Sequence, residues 1–188
     1  MSKREAIVQA AKDLIWEQGY EAMSPRDVLE RSGAGQGSLY HHFRGKRDLA
    51  AQALWEMNAE LRAVADRVFG RPERPPLDRV RRFLDVLARD PLKGCRVGRV
   101  AMESSIENEE LRAPVAAWFE YVEAKLRETF DEARAAGQIG ADVHSGDLAL
   151  TVVAAVQGGY VLARAHADPE AMRRALAGAL ALIESSAR

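Results

Sequence analysis

The stretch SPRDVLERSGAGQGSLYHHFRGKRDL, from Ser24 to Leu49, reads as two short helices with a tight break between them. Ser24 is an N-cap whose hydroxyl accepts from an orphan amide, Pro25 takes the first helical position, and Asp27 puts negative charge in the first turn. Val28 and Leu29 supply apolar contacts. The run Ser32-Gly33-Ala34-Gly35 stops the helix, with Gly33 free to take positive φ just past its end. Gln36 to Phe43 is expected to form a second helix of about two turns. Leu39 and Phe43 share its buried face, and Gln36, Gly37, Ser38, Tyr40, His41 and His42 stay mostly outward. A short polar helix of this kind suits a DNA major groove. Its small residues allow approach to base edges, and Tyr40, His41 and His42 can donate to phosphate oxygens. Lys46 lies just beyond, where a third helix begins.

Two other readings of the stretch fail on chemistry. Gly33, Gly35 and Gly37 hint at a dinucleotide-binding loop. That motif needs a preceding strand and a glycine where Ser38 stands, and the DVLERS before it is helical in pattern. His41 and His42 are adjacent on a helix, so they point about 100° apart and cannot chelate one ion well. No metal set and no cofactor motif is expected.

Upstream, Ser2 and Glu5 are spaced as a capping box. Ile7, Ala11, Leu14 and Ile15 recur as a helical stripe that Gly19 ends. This helix should pack across the other two and bury Val28, Leu39 and Phe43, giving a three-helix head. Downstream, Leu49, Ala53, Met57, Leu61, Val64 and Val68 mark a long helix from Lys46 to Phe69, spanning ~35 Å.

Gly19-Tyr20, Gly33-Ala34, Gly37-Ser38-Leu39-Tyr40-His41-His42-Phe43, Lys46 and Asp48-Leu49 together resemble the helix-turn-helix of TetR-family transcriptional repressors. The resemblance implies an all-α protein of about nine helices, with a DNA-binding domain in residues 1–47 and a ligand-binding and dimerisation domain in residues 48–188. It implies a homodimer on double-stranded operator DNA, released by a small apolar or aromatic effector. Phosphate contacts are then expected from Tyr40, His42, Lys46, Ser24 and Arg26, and base readout from Gln36, Gly37, Ser38 and His41. Where family members often carry Ser-Lys, this chain has Gly35-Gln36, which removes a cation and lowers the expected salt dependence of binding.

Composition agrees. The 188 residues are 47% hydrophobic, rich in alanine and leucine and poor in aromatics, as an all-α globular chain is. A net charge of −1 excludes a general polyanion binder. Residues 1–47 nevertheless carry eight basic against six acidic side chains, a sign that fits DNA. One cysteine, Cys95, excludes an internal disulfide framework. Neither a signal peptide nor an apolar run of transmembrane length is read, so no membrane partner and a cytoplasmic location are expected.

In the body, Arg71 to Pro76 is a linker, and Val80, Phe83, Leu84 and Leu87 mark a helix from Leu77 to Arg89 that Asp90-Pro91 breaks. Gly94 to Ile106 is expected to form another helix. Val115, Trp118, Phe119, Val122, Leu126 and Phe130 form a continuous stripe on a helix from Glu109 to Ala136. Asp147 to His166 is strongly apolar, and Pro169 opens a last helix. Gly94-Cys95 with Gly98, and Gln157-Gly158-Gly159, resemble the C-terminal domain of the LmrA/YxaF-type TetR subgroup.

TetR-like bodies hold an effector among their middle helices. The candidates here are Phe83, Leu87, Met102, Trp118, Phe119, Val122 and Tyr160, with Arg99, Glu103 and Gln157 as polar anchors. Arg99 and Glu103 are spaced to pair along a helix. Glycine inside a helix costs about 1 kcal/mol relative to alanine. Ala154, Ala155, Gly158 and Gly159 therefore point to close approach of another helix, either across a dimer or within one subunit. Cys95 beside Arg96 and a helix N-terminus would be a reactive thiol, against the alternative of an inert one. Trp16 and Trp55 are expected to pack between head and connecting helix. The competing function is a small all-α enzyme or ligand carrier without DNA binding. No nucleophile–base pair supports catalysis, so no enzymatic activity is expected.

Overall fold

The computed structural model describes residues 2–185. Met1 and residues 186–188, the expected outer ends of the two domains, lie outside it. Among the described residues there are eight α-helices and no strand: α1 (Lys3–Gln18), α2 (Pro25–Ser32), α3 (Gln36–His42), α4 (Lys46–Phe69), α5 (Pro76–Leu87), α6 (Glu109–Ala135), α7 (Ser145–His166) and α8 (Pro169–Ser185). Two 3-10 turns, Val100–Met102 and Ser104–Glu107, precede α6. The chain divides into two compact units, Met1–Leu61 with Cys95–Trp118 and Arg62–Gly94 with Phe119–Arg188, and the division falls within α4 and α6.

In the first unit, local signals place the helices. Ser2 and Glu5 close a capping box at α1, as Ser24 and Asp27 do at α2. Gly33 ends α2 at φ 65, a left-handed conformation that costs a side chain on the order of 1–2 kcal/mol. α1 packs on α2 and α3. Ile7, Ala11, Leu14, Ile15, Val28, Leu39 and Phe43 are buried together with Leu49, Ala53 and Met57 of α4. Between α1 and α4, Lys12 is only 5% exposed and lies between Glu56 and Glu60. Glu60 also takes Arg96 at 3.1 Å, and Arg96 stacks on Trp16. A buried ammonium needs such carboxylates, because it is costly unpaired. Burial pushes the Glu60 carboxyl up, but the Lys12 hydrogen bond and the Lys12 and Arg96 charges outweigh it and hold the group low. Asn58 Nδ2, buried, donates to the Pro114 carbonyl at 2.8 Å.

Three expectations change here. Gly94 to Ile106 is not an α-helix. Gly94 sits at φ 82, Glu103 is extended, and Glu103, Ser104 and Ser105 bond to Glu21 of the α1–α2 loop. Arg99 and Glu103 are thus not a helical pair. No helix starts at Cys95, and Arg96 beside it pairs with Glu60. Trp55 is 47% exposed on α4, so it is not a packing residue like Trp16.

In the second unit, Arg79 is 4% exposed. It donates to the Phe69 carbonyl at 3.1 Å, satisfying one orphan acceptor at the end of α4, and pairs with Glu132. Phe69 and Phe83 meet at a tilt, with ring centroids 4.9 Å apart. Tyr121 donates to Asp66 beneath the Arg62 guanidinium, and burial plus that carboxylate push its hydroxyl up to about 12. α7 packs along α8, burying Val152, Val156, Tyr160, Met172, Leu176 and Ile183. α7 is long and apolar enough to cross a bilayer, which corrects the expectation that no such run exists. Its pairing with α8 accounts for one apolar side; Leu150, Val161 and Leu162 remain exposed on others, as does Leu182 of α8 at 75%.

Candidate nucleic-acid interface

The candidate interface runs from the cap of α2 through the first turn of α4. The Ser24 hydroxyl accepts from the Asp27 amide at 3.2 Å, and the Asp27 carboxylate accepts from the Ser24 amide at 2.9 Å. The hydrogen bonds from Ser24 hold the Asp27 carboxyl below its usual range. This reciprocal cap, with Pro25 at N1, fixes where α2 begins. Gly33 then turns the chain, and Gly35 stands at the N-cap of α3 without a side-chain cap. Leu39 is fully buried, and Phe43, just past the last turn of α3, is 2% exposed. These two anchors set the helix rotation. Gln36, Gly37, Tyr40, His41 and His42 are left exposed, and Ser38 is half-buried. Tyr40 is 54% exposed. His41 and His42 meet edge to face.

The expected phosphate ligands differ in freedom. Arg26 is exposed and paired with Glu30 at 2.8 Å. Lys46 already has tasks: its ammonium donates to the Glu21 carbonyl at 3.0 Å and lies over the Tyr20 ring. Arg44 and Arg47, which sequence reasoning did not single out, flank Lys46. Arg44 pairs with Asp48 and Arg47 with Glu110. Their position beside the GKRDL run was the available signal.

The loop between α1 and α2 carries a second constellation that sequence did not reveal. The Glu21 carboxylate accepts from Ser104 Oγ at 2.8 Å and from the Ser105 amide at 2.9 Å. The Glu103 carboxylate accepts from the Glu21 amide at 3.1 Å. The hydrogen bond from Ser104 leads in holding the Glu21 carboxyl below its usual range. Gly19, at φ 92, is where a Cβ would collide with the Glu103 carboxylate, so this close seating requires glycine.

The expected effector residues divide. Arg99, Met102, Glu103 and Trp118 fall in the first unit, and Phe83, Leu87, Phe119, Val122, Gln157 and Tyr160 in the second. Met102 is 82% exposed, and Glu103 is bound to the α1–α2 loop. In the second unit Tyr160 donates to the Leu87 carbonyl at 2.9 Å, which joins two of the set. Phe83 and Val122 are core residues. Separately, a groove of about 550 Å³ runs between α7 and α8, lined by Leu148, Val152, Ala155, Gly178, Leu182 and other small or apolar residues. Gly159 faces into the subunit, where a Cβ would press on Met172, while Gly158 faces open space. The two glycines thus divide between the two readings of that stretch.

Residues 7–53, which contain the whole of α2 and α3, match the family described as "Bacterial regulatory proteins, tetR family". Residues 76–179 match the family described as "Tetracyclin repressor-like, C-terminal domain", and this covers more than half of the chain. The chain belongs to the TetR family. It is similar to the HTH-type transcriptional regulator LmrA of Bacillus subtilis, 34% identical over 67% of this chain and 72% of that protein. It is also similar to the uncharacterized regulator YxaF of the same organism, 28% identical over 88% and 86%. Among solved structures, a TetR transcriptional regulator from Chloroflexus aurantiacus is 27% identical with a TM-score of 0.84, covering 96% of this chain and 93% of that one. As a TetR-type transcriptional regulator, the chain carries its DNA-binding domain at the N-terminus, where α1 to α3 lie.

Proposed function

We propose that this TetR-family protein is a repressor that binds operator DNA as a homodimer and is released by a small apolar or aromatic effector held in the body. The DNA-binding part is residues 1–47, and the ligand-binding and dimerisation part residues 48–188. The observation that carries the reading is the polar face of α3, held outward by Leu39 and Phe43 on a doubly capped head. Gln36, Gly37, Ser38 and His41 read base edges. Tyr40, His42, Lys46, Ser24 and Arg26 position the backbone.

Dimerisation is supported by the apolar groove and by exposed Leu150, Val161 and Leu182 on α7 and α8. Exposed apolar surface of this kind is the usual mark of an interface. A helix-turn-helix dimer reads two half-sites about 34–36 Å apart, so effector control needs only a dimer state in which that spacing is lost. To carry the population from 1:99 to 99:1 the effector must prefer that state by about 5.5 kcal/mol. Phe83, Leu87, Phe119, Val122, Gln157 and Tyr160 are the effector candidates within the second unit; Arg99, Met102, Glu103 and Trp118 are those of the first.

The test is anisotropy binding to the DNA immediately upstream of the protein's own gene, with random-sequence competitor. Specific binding that Tyr40→Ala with Lys46→Ala abolishes is expected. Unchanged affinity in that double variant would overturn the reading.

A further inference from the structure

The basic side chains beside α3 are all matched, and one match comes from a distant part of the sequence. A groove of about 310 Å³ at the start of α4 is lined by Arg44, Gly45, Lys46, Arg47, Asp48 and Glu110. Asp48 belongs to the first turn of α4 itself. It accepts from the Arg44 amide at 2.9 Å and from the Gln52 side chain at 3.2 Å, and it lies 3.5 Å from the Arg44 guanidinium. The Lys46 ammonium is turned to the Glu21 carbonyl. Arg47 instead meets Glu110, which stands in the first turn of α6, 63 positions along the chain, with Nε to Oε2 at 3.1 Å. Glu110 is fixed there by its own backbone, because its amide donates to the Asn108 side chain at 3.0 Å. Both charged groups are about half exposed. An exposed pair of this kind is worth at most about 1 kcal/mol, so a competing anion can replace it.

We propose that the Glu110 carboxylate is a built-in competitor of the DNA backbone for the Arg47 guanidinium. In the free protein Arg47 has a carboxylate partner. When DNA docks α3, a backbone phosphate at the start of α4 takes the guanidinium, for which a planar two-point match is equally available. Arg47 then exchanges one anion for another, and Glu110 is left beside the phosphate. The gain from that contact is small in the native chain, which lowers the sequence-independent part of DNA affinity and leaves a larger share to the α3 base contacts. The inference rests on the DNA-binding reading above.

The test uses the full chain and a mixed-sequence DNA duplex, since the electrostatic contribution needs no operator. Anisotropy titrations between about 50 and 200 mM salt give the slope of log K against log salt. Glu110→Gln is expected to bind several-fold tighter at the low-salt end, with a slope steeper by up to about 0.9, because Arg47 then neutralises its phosphate with no carboxylate left beside the pair. Arg47→Gln should weaken binding, and adding Glu110→Gln to it should restore nothing. Glu109→Gln, one residue earlier and paired with Arg112, removes the same charge without freeing Arg47 and should change little. A Glu110→Gln variant equal to the native chain would overturn the proposal. So would a gain that Glu109→Gln reproduces, or one that persists without Arg47. In those cases the native chain still binds the duplex and the DNA reading stands. If the native chain binds no duplex at any salt, that reading falls and this inference with it. Thermal melts of the variants confirm that each is folded.

Discussion

The outward face of α3 and the outward faces of α7 and α8 are both exposed, and they are made of opposite materials. The first presents Gln36, Gly37, Tyr40, His41 and His42; the second presents Leu150, Val161, Leu162 and Leu182. A polar face can stay in water at no cost and wait for a charged ligand. An apolar face forfeits about 25 cal/mol for every Å² it could bury, so it gains from a cover. Equal exposure therefore has different meanings: one face is at home in water, and the other gains from a cover. The same contrast appears in how each is fixed. The α3 face depends on local devices, caps and a left-handed glycine, whereas the α7–α8 face depends on helix-to-helix packing.

Substitutions should separate the two. The largest effect is expected from Leu182→Asp, which puts a charge into the apolar face. The dimer should weaken at least a hundredfold, about 2.7 kcal/mol, read by light scattering across a dilution series. An unaffected dimer would remove that face from the interface. Next come the paired glycines. Gly159→Leu drives a side chain into Met172 and should lower folding stability by about 1–3 kcal/mol. Gly158→Leu, which meets nothing within the subunit, should leave the fold intact and disturb only assembly. Denaturant melts set beside light scattering distinguish the two outcomes, and identical behaviour would break the inside–outside assignment. On the polar side, Ser24→Ala removes a reciprocal cap and should cost about 1 kcal/mol with no change in oligomeric state.

The smallest effect concerns pH. The Glu21 carboxyl is held low chiefly by Ser104. Its contribution is therefore fully present above the unfolded value of about 4.3 and is lost as pH falls through the lower folded value. The melting temperatures of the native chain and Glu21→Gln should differ near neutrality and converge below about pH 4. A constant difference would mean that the carboxylate charge plays no part.

Those contrasts also explain what sequence could and could not say. The head was legible because its signals are local: Ser24 with Asp27, Gly33 at the turn, and Leu39 on the buried side of a short helix with Phe43 just past its end. The bounds of α4 were legible too, from Lys46 to Phe69. Residues 94–106 were not, because the apolar spacing of Val97 and Val100 suits a helix while the competing partners lie some 80 residues away, in the α1–α2 loop. No local pattern announces that Glu103, Ser104 and Ser105 will spend their hydrogen bonds on Glu21. Trp55 was misjudged for a related reason: an indole on an amphipathic helix is read as core until the neighbouring helix is known to lie elsewhere. The α7 run was recognised as apolar, but its second apolar side, Leu150 with Val161, emerges only once α8 is known to cover the first. The effector set drew on several middle helices taken together and so ran across a division of the chain that periodicity does not mark.

The placement of the tryptophans has an optical consequence. Trp16, Trp55 and Trp118 are the chain's three indoles, and all belong to the first compact unit. Trp118 is 4% exposed, whereas Trp55 is 47% exposed. Tryptophan emission, excited selectively over tyrosine, therefore watches one half of the molecule only, and it does so from a shielded and an open vantage at once. Circular dichroism at 222 nm, by contrast, sums over every helix. Unfolding traces from the two probes that superimpose would show the halves melting as one cooperative block; traces that separate would time the silent half against the luminous one, without a label or a substitution.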